Sequence, residues 1–224
     1  MPGPLSFGLT SGLWRPLGPG KGFLRGKAWT NAKPIGGLKV RLGLLPGLLT
    51  GWGVSKADGY YSIAVPPGQY KLTGWEIDAD SASKTIAGKI VNPVTSRNLP
   101  PHFLTVTTDT ATSALDLEFI DPIVRVRPTN GEAITSATVF EWKPYPGTAY
   151  YRMYMQSFGT APDGEPKDVF VLWHPSLMGT TTTALSAGFV LQSGHYYTWR
   201  LRAYNAKELC ISETANDIAL FRMK

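Results

Sequence analysis

The sequence has little of the residue types from which catalytic and metal sites are built. It contains one cysteine, Cys210, and three histidines among 224 residues. A single cysteine excludes an internal disulfide framework, and so few histidines exclude a zinc-finger type of site. There is no Gly-rich phosphate loop, no nucleophile elbow and no Cys–His pair. We therefore expect no enzymatic activity, no catalytic residues, no cofactor and no metal, and we expect Cys210 to be a small buried hydrophobe.

Acidic residues are absent from the first quarter of the chain. The formal net charge is +6, and residues 1–57 hold eight basic side chains before the first carboxylate, Asp58. Such a segment suits an acidic protein face or an anionic membrane surface. Nucleic acid is not expected, because no recognition module or aromatic–basic platform accompanies the charge. The alternative is that these basic groups are the solvated ends of strand residues.

Long apolar runs are also missing. None approaches the roughly 18 residues that a membrane-spanning helix needs. The start of the sequence, Met-Pro-Gly-Pro at residues 1–4, has no basic region followed by a continuous apolar region, so a signal peptide is not expected there. The sequence does not fix the compartment, and an extracytoplasmic or assembly-associated location is the expectation.

Residues 1–22 are predicted to be an irregular N-terminal arm. Proline and glycine recur too often for a helix or a central strand, whereas large apolar side chains are too frequent for a free linker. Alternation within residues 5–9 is typical of a strand added to a sheet edge. We predict that the arm docks on its own domain or on a partner, through Leu5, Phe7, Leu9, Trp14, Arg15 and Leu17.

From about Phe23 onward, short runs rich in β-branched and aromatic residues alternate with turns. Turn signals recur about every 8–12 residues, which is typical of a sandwich or barrel. The predicted fold class is all-β, with the arm followed by two tandem β-sandwich domains over residues 23–120 and 122–224. Asp58-Gly59 predicts a hairpin turn because glycine adopts positive φ at no steric cost, and Pro66-Pro67-Gly68 predicts a second turn.

The first half carries a recurring pattern of a tight turn followed by tyrosine. Residues 57–63 read Ala-Asp-Gly-Tyr-Tyr-Ser-Ile, and residues 66–70 read Pro-Pro-Gly-Gln-Tyr. Together with Gly26 and the Leu-Lys-Val-Arg-Leu run of residues 38–42, they resemble the carboxypeptidase regulatory-like family over residues 22–120. The resemblance implies a transthyretin-like β-sandwich that serves as a non-catalytic accessory or spacer.

The second half has the residues of a different sandwich. Trp142 stands in the run Ala-Thr-Val-Phe-Glu-Trp-Lys-Pro, and residues 191–197 read Leu-Gln-Ser-Gly-His-Tyr-Tyr before the alternating run of residues 199–205. These features resemble a fibronectin type III domain over residues 122–224. The resemblance implies that Trp142 and Trp199 are core residues and that Tyr197 is a corner tyrosine. It implies little about function, because such sandwiches have many roles.

Aromatic residues are the one excess, at 12% of the chain. Trp14, Trp52 and Trp173 lie near glycine or proline in arm or loop contexts, where exposed tryptophans anchor protein interfaces or stack on sugars. Packing at domain junctions is an equal explanation. We predict a non-catalytic structural or interaction subunit that docks into a larger assembly (a surface, envelope, virion or peripheral membrane complex), with Trp52 and Trp173 among the contact residues. The alternative is a carbohydrate-binding accessory module whose glycan stacks on exposed Trp and Tyr.

Overall fold

The protein is all-β, as the sequence predicted. A computed structural model describes residues 21–46, 48–78, 80–96, 103–160, 172–173, 177–178, 182–184, 191–215 and 220–224. Helix within these ranges is limited to two segments of four residues each. No helix in this part of the chain has the length and apolar character needed to cross a bilayer.

The strands and helical turns are numbered in chain order. They are β1 (Gly22–Thr30), β2 (Lys33–Pro34), β3 (Lys39–Leu45), β4 (Leu48–Leu49), β5 (Gly53–Val54), β6 (Tyr60–Val65), β7 (Gly68–Ile77), α1 (Ser83–Ile86), β8 (Ile90–Val91), α2 (Pro93–Ser96), β9 (Phe103–Val106), β10 (Ala111–Ser113), β11 (Leu117–Ile120), β12 (Arg125–Arg127), β13 (Ala133–Ile134), β14 (Val139–Trp142), β15 (Tyr150–Ser157), β16 (Leu172–Trp173), β17 (Leu177–Met178), β18 (Thr182–Ala184), β19 (Tyr196–Tyr204), β20 (Cys210–Glu213) and β21 (Leu220–Met223).

Two compact units divide the chain. The first takes the described residues up to 87 and those of 103–118, and the second takes 88–96 and the described residues from 119 onward. The sequence predicted one continuous domain over 23–120, so the placement of 88–96 differs. Part of the reason is local pairing, since Ile90 and Val91 of β8 pair with Ile120 and Phe119 at the end of β11, and α2 packs against β20. Independent folding of the two predicted sandwiches stays a prediction.

The first unit consists of two facing sheets. In one, β1 pairs with β6, β10, β11 and β2; in the other, β3 lies between β7 and the short β4 and β5, and β9 pairs with β7. Burial alternates along β1, β3 and β6, as the pleat of a half-buried strand requires. A Cβ on Gly53 of β5 would lie 2.6 Å from Ile63 of β6. The inner faces of the two sheets therefore meet closely.

The Asp58-Gly59 hairpin turn is present and is closed between Lys56 and Tyr60, where the Lys56 amide donates to the Tyr60 carbonyl at 2.9 Å. Gly59 has φ of +83°, its amide donates to the Lys56 carbonyl at 2.8 Å, and the Tyr60 amide donates to Asp58 Oδ1 at 3.1 Å. However, β5 pairs with β3 whereas β6 pairs with β1. The turn thus carries the chain from one sheet to the other, because glycine determines the local φ and not which strands pair.

Two tyrosines that follow the turns close the first unit. Tyr61 is buried and its hydroxyl donates to the Leu115 carbonyl. The Tyr70 hydroxyl donates to the Pro66 carbonyl at 2.8 Å, across the turn between β6 and β7. Both bonds satisfy carbonyls outside the ladders, as buried polar groups require.

The second unit has a three-stranded sheet, β12-β14-β18, and a larger sheet in the order β13-β21-β19-β15-β16, with β17 on β15 and β20 on β19. Side chains from both sheets form one core. Phe140 of β14 contacts Trp199 of β19 edge to face at 5.2 Å between ring centroids, and Trp142 contacts Tyr151 at 5.3 Å. The buried residues of this core are Ile123, Ile134, Phe140, Trp142, Tyr151, Met153, Met155, Leu191, Tyr197, Trp199, Leu201, Ala203 and Phe221.

Tyr197 supports a loop and is expected to be a stability residue. Its ring is buried and its hydroxyl accepts the Gln192 amide at 2.8 Å. Tyr197→Phe leaves that amide without its acceptor and should cost about 1–2 kcal/mol, measured by urea unfolding. The neighbouring Tyr196→Phe is the control and should change stability by less than about 0.5 kcal/mol. Equal stability of both variants and the wild type would contradict the corner role.

Candidate functional site

The structure describes the surroundings of one of the eight residues predicted to contact a partner. That residue is Trp52, which is 45% exposed between β4 and β5. Trp173 belongs to β16, where its backbone pairs with Tyr154 of β15. The remaining six lie outside the described residues, and they are Leu5, Phe7, Leu9, Trp14, Arg15 and Leu17.

Trp52 is held in place by a cation. The Arg41 guanidinium lies 4.7 Å from the centroid of the Trp52 ring system. Arg41 in turn donates through Nε to Glu76 Oε2 at 2.6 Å, from opposite positions on β3 and β7. A guanidinium over an indole face is attractive, and the ion pair orients it. The indole is therefore a pre-oriented aromatic group with much of its surface open to a partner.

Large exposed apolar side chains concentrate around Trp52. We call residues 45–54 the exposed segment, because Leu45, Leu49, Trp52 and Val54 are 43%, 56%, 45% and 52% exposed. In the described part of the second unit, the exposed large hydrophobics are separated along the sequence, at Val124, Val139 and Leu209. Leu49 lies opposite Gly43 and Val54 opposite Lys39, so these side chains follow the edge of the sheet along β3. Repeated apolar exposure along one sheet edge is typical of interaction surfaces, whereas single exposed residues need no explanation.

An apolar cleft of about 160 Å³ adjoins the exposed segment. It lies where β4 of one sheet approaches the end of β6 in the other. Gly22, where β1 begins, pairs with Val65 of the cleft. The start of β1 therefore lies beside this opening. The cleft is lined by Leu44, Leu49, Thr50, Gly51, Ala64, Val65, Pro66 and Tyr70.

A second surface is the outer face of the β15–β19–β20 sheet. Tyr150 and Tyr204 stack at 5.0 Å with 3° between their planes, and the Arg152 guanidinium lies 4.7 Å from the Tyr204 centroid. Cys210 packs against this pair and is buried, as predicted. Both tyrosines are also buried, so the stack is a structural support for the face and not an open aromatic platform.

Farther along this face lies a cleft of about 290 Å³, which we call the arginine cleft. Arg202 Nε donates to Glu213 Oε2 at 3.3 Å, and Arg202 Nη1 donates to the Tyr154 hydroxyl at 3.2 Å. Burial, and then the hydrogen bond with Tyr204, raise the pKa of Tyr154 to about 12. The phenol is therefore neutral at physiological pH. The lining residues are Tyr154, Met155, Gln156, Thr198, Arg200, Leu201, Arg202, Glu213 and Thr214.

The raised tyrosine pKa values predict loss of stability in alkali. Tyr154 has a pKa of about 12, and burial, followed by the charge of Asp116, raises the pKa of Tyr61. Unfolded tyrosines titrate near 10. Between pH 10 and 12 the unfolded chain therefore holds fewer protons than the folded one, so stability falls as pH rises, and it is undiminished below pH 10.

Urea unfolding at pH 9, 10 and 11 measures this slope, and Tyr154→Phe should reduce it. Absorbance at 295 nm should show a group of tyrosines that ionises late. If all ten tyrosines of the folded chain ionised together near pH 10, the burial-based explanation would be wrong.

Metal-ligating side chains do not cluster in the described ranges. No group of three or more His, Cys, Asp or Glu there lies close enough to hold a metal ion. Asp78 and Asp80 lie two residues apart, and Asp78 accepts Lys39 Nζ at 3.0 Å and the Asp80 amide at 3.1 Å. The Lys39 hydrogen bond lowers the pKa of Asp78. The carboxylate therefore has a lysine and a backbone amide as partners.

The arginine cleft was not predicted from the sequence, although the alternation of residues along one of its strands was recognised. The alternation in β19 placed Arg200, Arg202 and Tyr204 on the face opposite the core. The same period in β15 places Tyr154 and Gln156 outward. What joins them is the antiparallel register that sets Tyr154 opposite Arg200 and Gln156 opposite Thr198. Such pairing between distant segments does not follow from either alternation by itself.

Comparisons with known proteins find only distant likeness. No protein-family model and no curated protein matches the chain. Among solved structures, a DUF3823 family protein from Bacteroides ovatus has 14% identity and a TM-score of 0.29, over 91% of this chain and 100% of its own. The major pilin subunit BcpA of Bacillus cereus has 10% identity and a TM-score of 0.31, over 91% and 70%. A putative adhesin from Bacteroides ovatus has 10% identity and a TM-score of 0.26, over 86% and 81%. These likenesses are too distant to assign a function or a partner to this chain.

Proposed function

We propose that this chain is a non-catalytic interaction subunit that docks into a larger assembly through its N-terminal arm and the aromatic loops of the first unit. The observation that carries the proposal is the exposed segment, where Leu45, Leu49, Trp52 and Val54 present apolar surface within ten residues. Burial of such apolar surface against a partner lowers the free energy of the complex. Trp52 is the expected centre of the contact, because tryptophan is enriched among residues that dominate binding energy.

Charge narrows the proposed partners. Residues 1–57 are basic without any acidic side chain, and of the described basic residues in this stretch, Arg41 is paired with Glu76 and Lys39 with Asp78. The excess positive charge would steer the subunit towards an acidic face of another protein subunit. An anionic membrane surface is the second partner that this charge supports.

We also propose that the first unit is a carboxypeptidase regulatory-like sandwich and that the second is fibronectin type III-like. The tyrosine hydroxyls of Tyr61 and Tyr70 that close the first unit support the first assignment. The buried Trp142, the Tyr197 bond to the Gln192 amide and the three-stranded sheet facing a larger one support the second. Domains of these types commonly act as spacers or binding modules.

Glycan binding is the alternative function. It requires exposed aromatic rings that lie side by side in one groove. The stacked pair Tyr150 and Tyr204 is buried, and Trp52 has the Arg41 guanidinium on its ring system. Tyr60 likewise has Lys27 Nζ at 5.3 Å from its centroid. These rings favour protein contact over sugar stacking.

The test is incorporation into the native assembly. Tagged full-length chain, a variant lacking residues 2–20, and a Leu49→Asp/Trp52→Ala variant are produced in the source cells, and complexes are sized by native mass measurement. Both variants should lose most incorporation while keeping wild-type unfolding curves. Leu209→Asp, at an exposed position of the second unit, is the matched control and should assemble normally. Normal assembly of the two test variants, or recovery of the wild type only as a free monomer, would contradict the proposal.

A further inference from the structure

The arginine cleft contains more hydrogen-bond donors than it uses. Gln156 and Thr198 lie opposite each other on β15 and β19, and Arg200 lies two residues beyond Thr198 on the same face. The side chains of these three residues make no hydrogen bond or ion pair to any other residue in the described ranges. Arg200 is exposed, and its guanidinium has five N–H donors. The cleft thus offers a cation and neutral donors to whatever enters it.

Carboxylates are scarce in the cleft by comparison. Glu213 is the one carboxylate among the lining residues that the structure describes, and its Oε2 already accepts Arg202. The Tyr154 hydroxyl accepts a second bond from Arg202 at 3.2 Å. The charge of Arg202 is therefore balanced inside the protein, and the charge of Arg200 is the one available to a ligand. An occupant that complements the cleft must bring negative charge and acceptor atoms.

The size of the cleft and the apolar part of its lining further limit which ligands fit. A volume of about 290 Å³ accommodates one side chain or a small molecule. The Tyr154 ring supplies the apolar surface of this face, whereas the Met155 and Leu201 side chains point to the core on the other side of the sheet. The Arg202 guanidinium lies 4.7 Å from the Tyr154 centroid and helps fix the ring. A carboxylate on a short aliphatic stem matches both parts of the lining.

We infer that the arginine cleft binds an aspartate or glutamate side chain in an acidic peptide segment of a partner subunit. Arg200 receives the carboxylate as a two-pronged donor, which is the geometry that guanidinium groups favour. Gln156 and Thr198 donate to the same carboxylate or to the peptide carbonyl beside it. Tyr154 lies against the stem, and Arg202 is a positioning residue that orients the tyrosine. This inference rests on the proposed function, since it names the chemistry of the partner.

An acidic sugar fits the cleft less well. Sugar sites commonly use carboxylates as acceptors for the sugar hydroxyls, and the single carboxylate that the structure describes in this lining is already paired with Arg202. Sugar stacking also uses open aromatic faces, whereas Arg202 lies against the Tyr154 ring. The Arg200 guanidinium, unpaired among the described residues, and the covered Tyr154 ring favour a carboxylate group over a polyhydroxyl one.

The test is calorimetric titration of the full chain with two peptides at low salt. The probes are acetyl-Gly-Glu-Glu-Glu-Glu-Gly-amide and the same peptide with glutamine at each glutamate. We expect the glutamate peptide to bind at least about tenfold more tightly, because ion-paired hydrogen bonds exceed neutral ones. Arg200→Gln should weaken its binding by at least about tenfold. Arg152→Gln is the matched control, since Arg152 lies on the same sheet face against Tyr150 and Tyr204, outside the cleft. The affinity of this variant for the glutamate peptide should stay within about twofold of the wild-type value.

Equal affinity for the two peptides would overturn the inference. So would an equal loss of affinity for the glutamate peptide in the Arg200→Gln and Arg152→Gln variants. A third contrary result is a chain that binds glucuronate through Arg200 but binds neither peptide. The inference and the proposed function fail separately. A chain that assembles normally but does not bind the glutamate peptide disproves the inference alone. A chain that binds the peptide through Arg200 but never enters an assembly disproves the proposed function alone.

Discussion

Replacing Trp142 by alanine should destabilise the second unit by about 3–5 kcal/mol, the range for large aromatic side chains removed from a packed core. Trp142 is 2% exposed and lies between Tyr151 and Trp199. It comes from the three-stranded sheet, whereas both of those neighbours come from the larger sheet. The cavity would therefore open at the centre of the contact between the two sheets, where neither sheet can close it without moving its strands.

The measurement is the urea midpoint of the transition that belongs to the second unit. Trp52→Ala is the matched control, because Trp52 is half exposed, and it should shift stability by less than about 0.5 kcal/mol. Similar midpoints for the two alanine variants would mean that Trp142 is not a core residue.

A milder substitution separates the two buried indoles. Trp199 Nε1 donates to the Pro128 carbonyl at 3.3 Å, whereas Trp142 Nε1 has no acceptor among the described residues. Phenylalanine at 199 leaves a carbonyl unpaired, while phenylalanine at 142 removes an N–H that is already unsatisfied. Trp142→Phe should therefore cost less than Trp199→Phe in the same unfolding measurement.

The core of the second unit could be predicted because its strands have one buried face. Alternation along β19 puts Tyr197, Trp199 and Leu201 on one side of the sheet, and the structure buries all three. Period-two alternation results directly from the pleat, so it is visible in a single strand without knowledge of its neighbours. Trp142 was expected in the core for a different reason, the resemblance to a fibronectin type III domain, and it is buried.

Connections between sheets could not be predicted in this way. The Asp58-Gly59 turn was predicted correctly, but the pairing stops at Lys56 and Tyr60, because β5 and β6 belong to different sheets. The grouping of residues 88–96 with the second unit depends in part on a two-residue ladder between β8 and β11. The two-residue strands β5 and β8 are too short for their sequence patterns to specify a partner.

The candidate surfaces were predictable to different degrees. Trp52 stands between Gly51 and Gly53, where the sequence allowed exposure and packing at a domain junction equally, and the structure leaves it 45% exposed. The arginine cleft was not predicted, because it combines residues from β15, β19 and β20. The hydrogen bonds of Arg202 with Glu213 and Tyr154 form only when the three strands are paired in the folded protein.

Replacing Gly26 by alanine should destabilise the first unit by about 2–5 kcal/mol, combining overpacking with the loss of a buried hydrogen bond. A Cβ at this position of β1 would meet the Leu115 carbonyl oxygen and the Tyr61 hydroxyl closer than the 3.0 Å that real Cβ atoms keep. These are the two atoms that bond to each other. One of them belongs to the backbone, so relief requires a strand to move and not only a side chain to rotate.

Gly74→Ala is the matched control for this substitution. Gly74 also lies in a strand, β7, but a Cβ there would meet nothing within 4 Å. Alanine at 74 should be neutral or stabilising by about 0.4–1 kcal/mol, because it restricts the unfolded chain. A Tyr61→Phe/Gly26→Ala double variant should lose less than the sum of the two single losses, since both changes break the same Tyr61–Leu115 bond. Additive losses in urea unfolding, or equal stability of the two alanine variants, would show that Gly26 does not make room for that hydrogen bond.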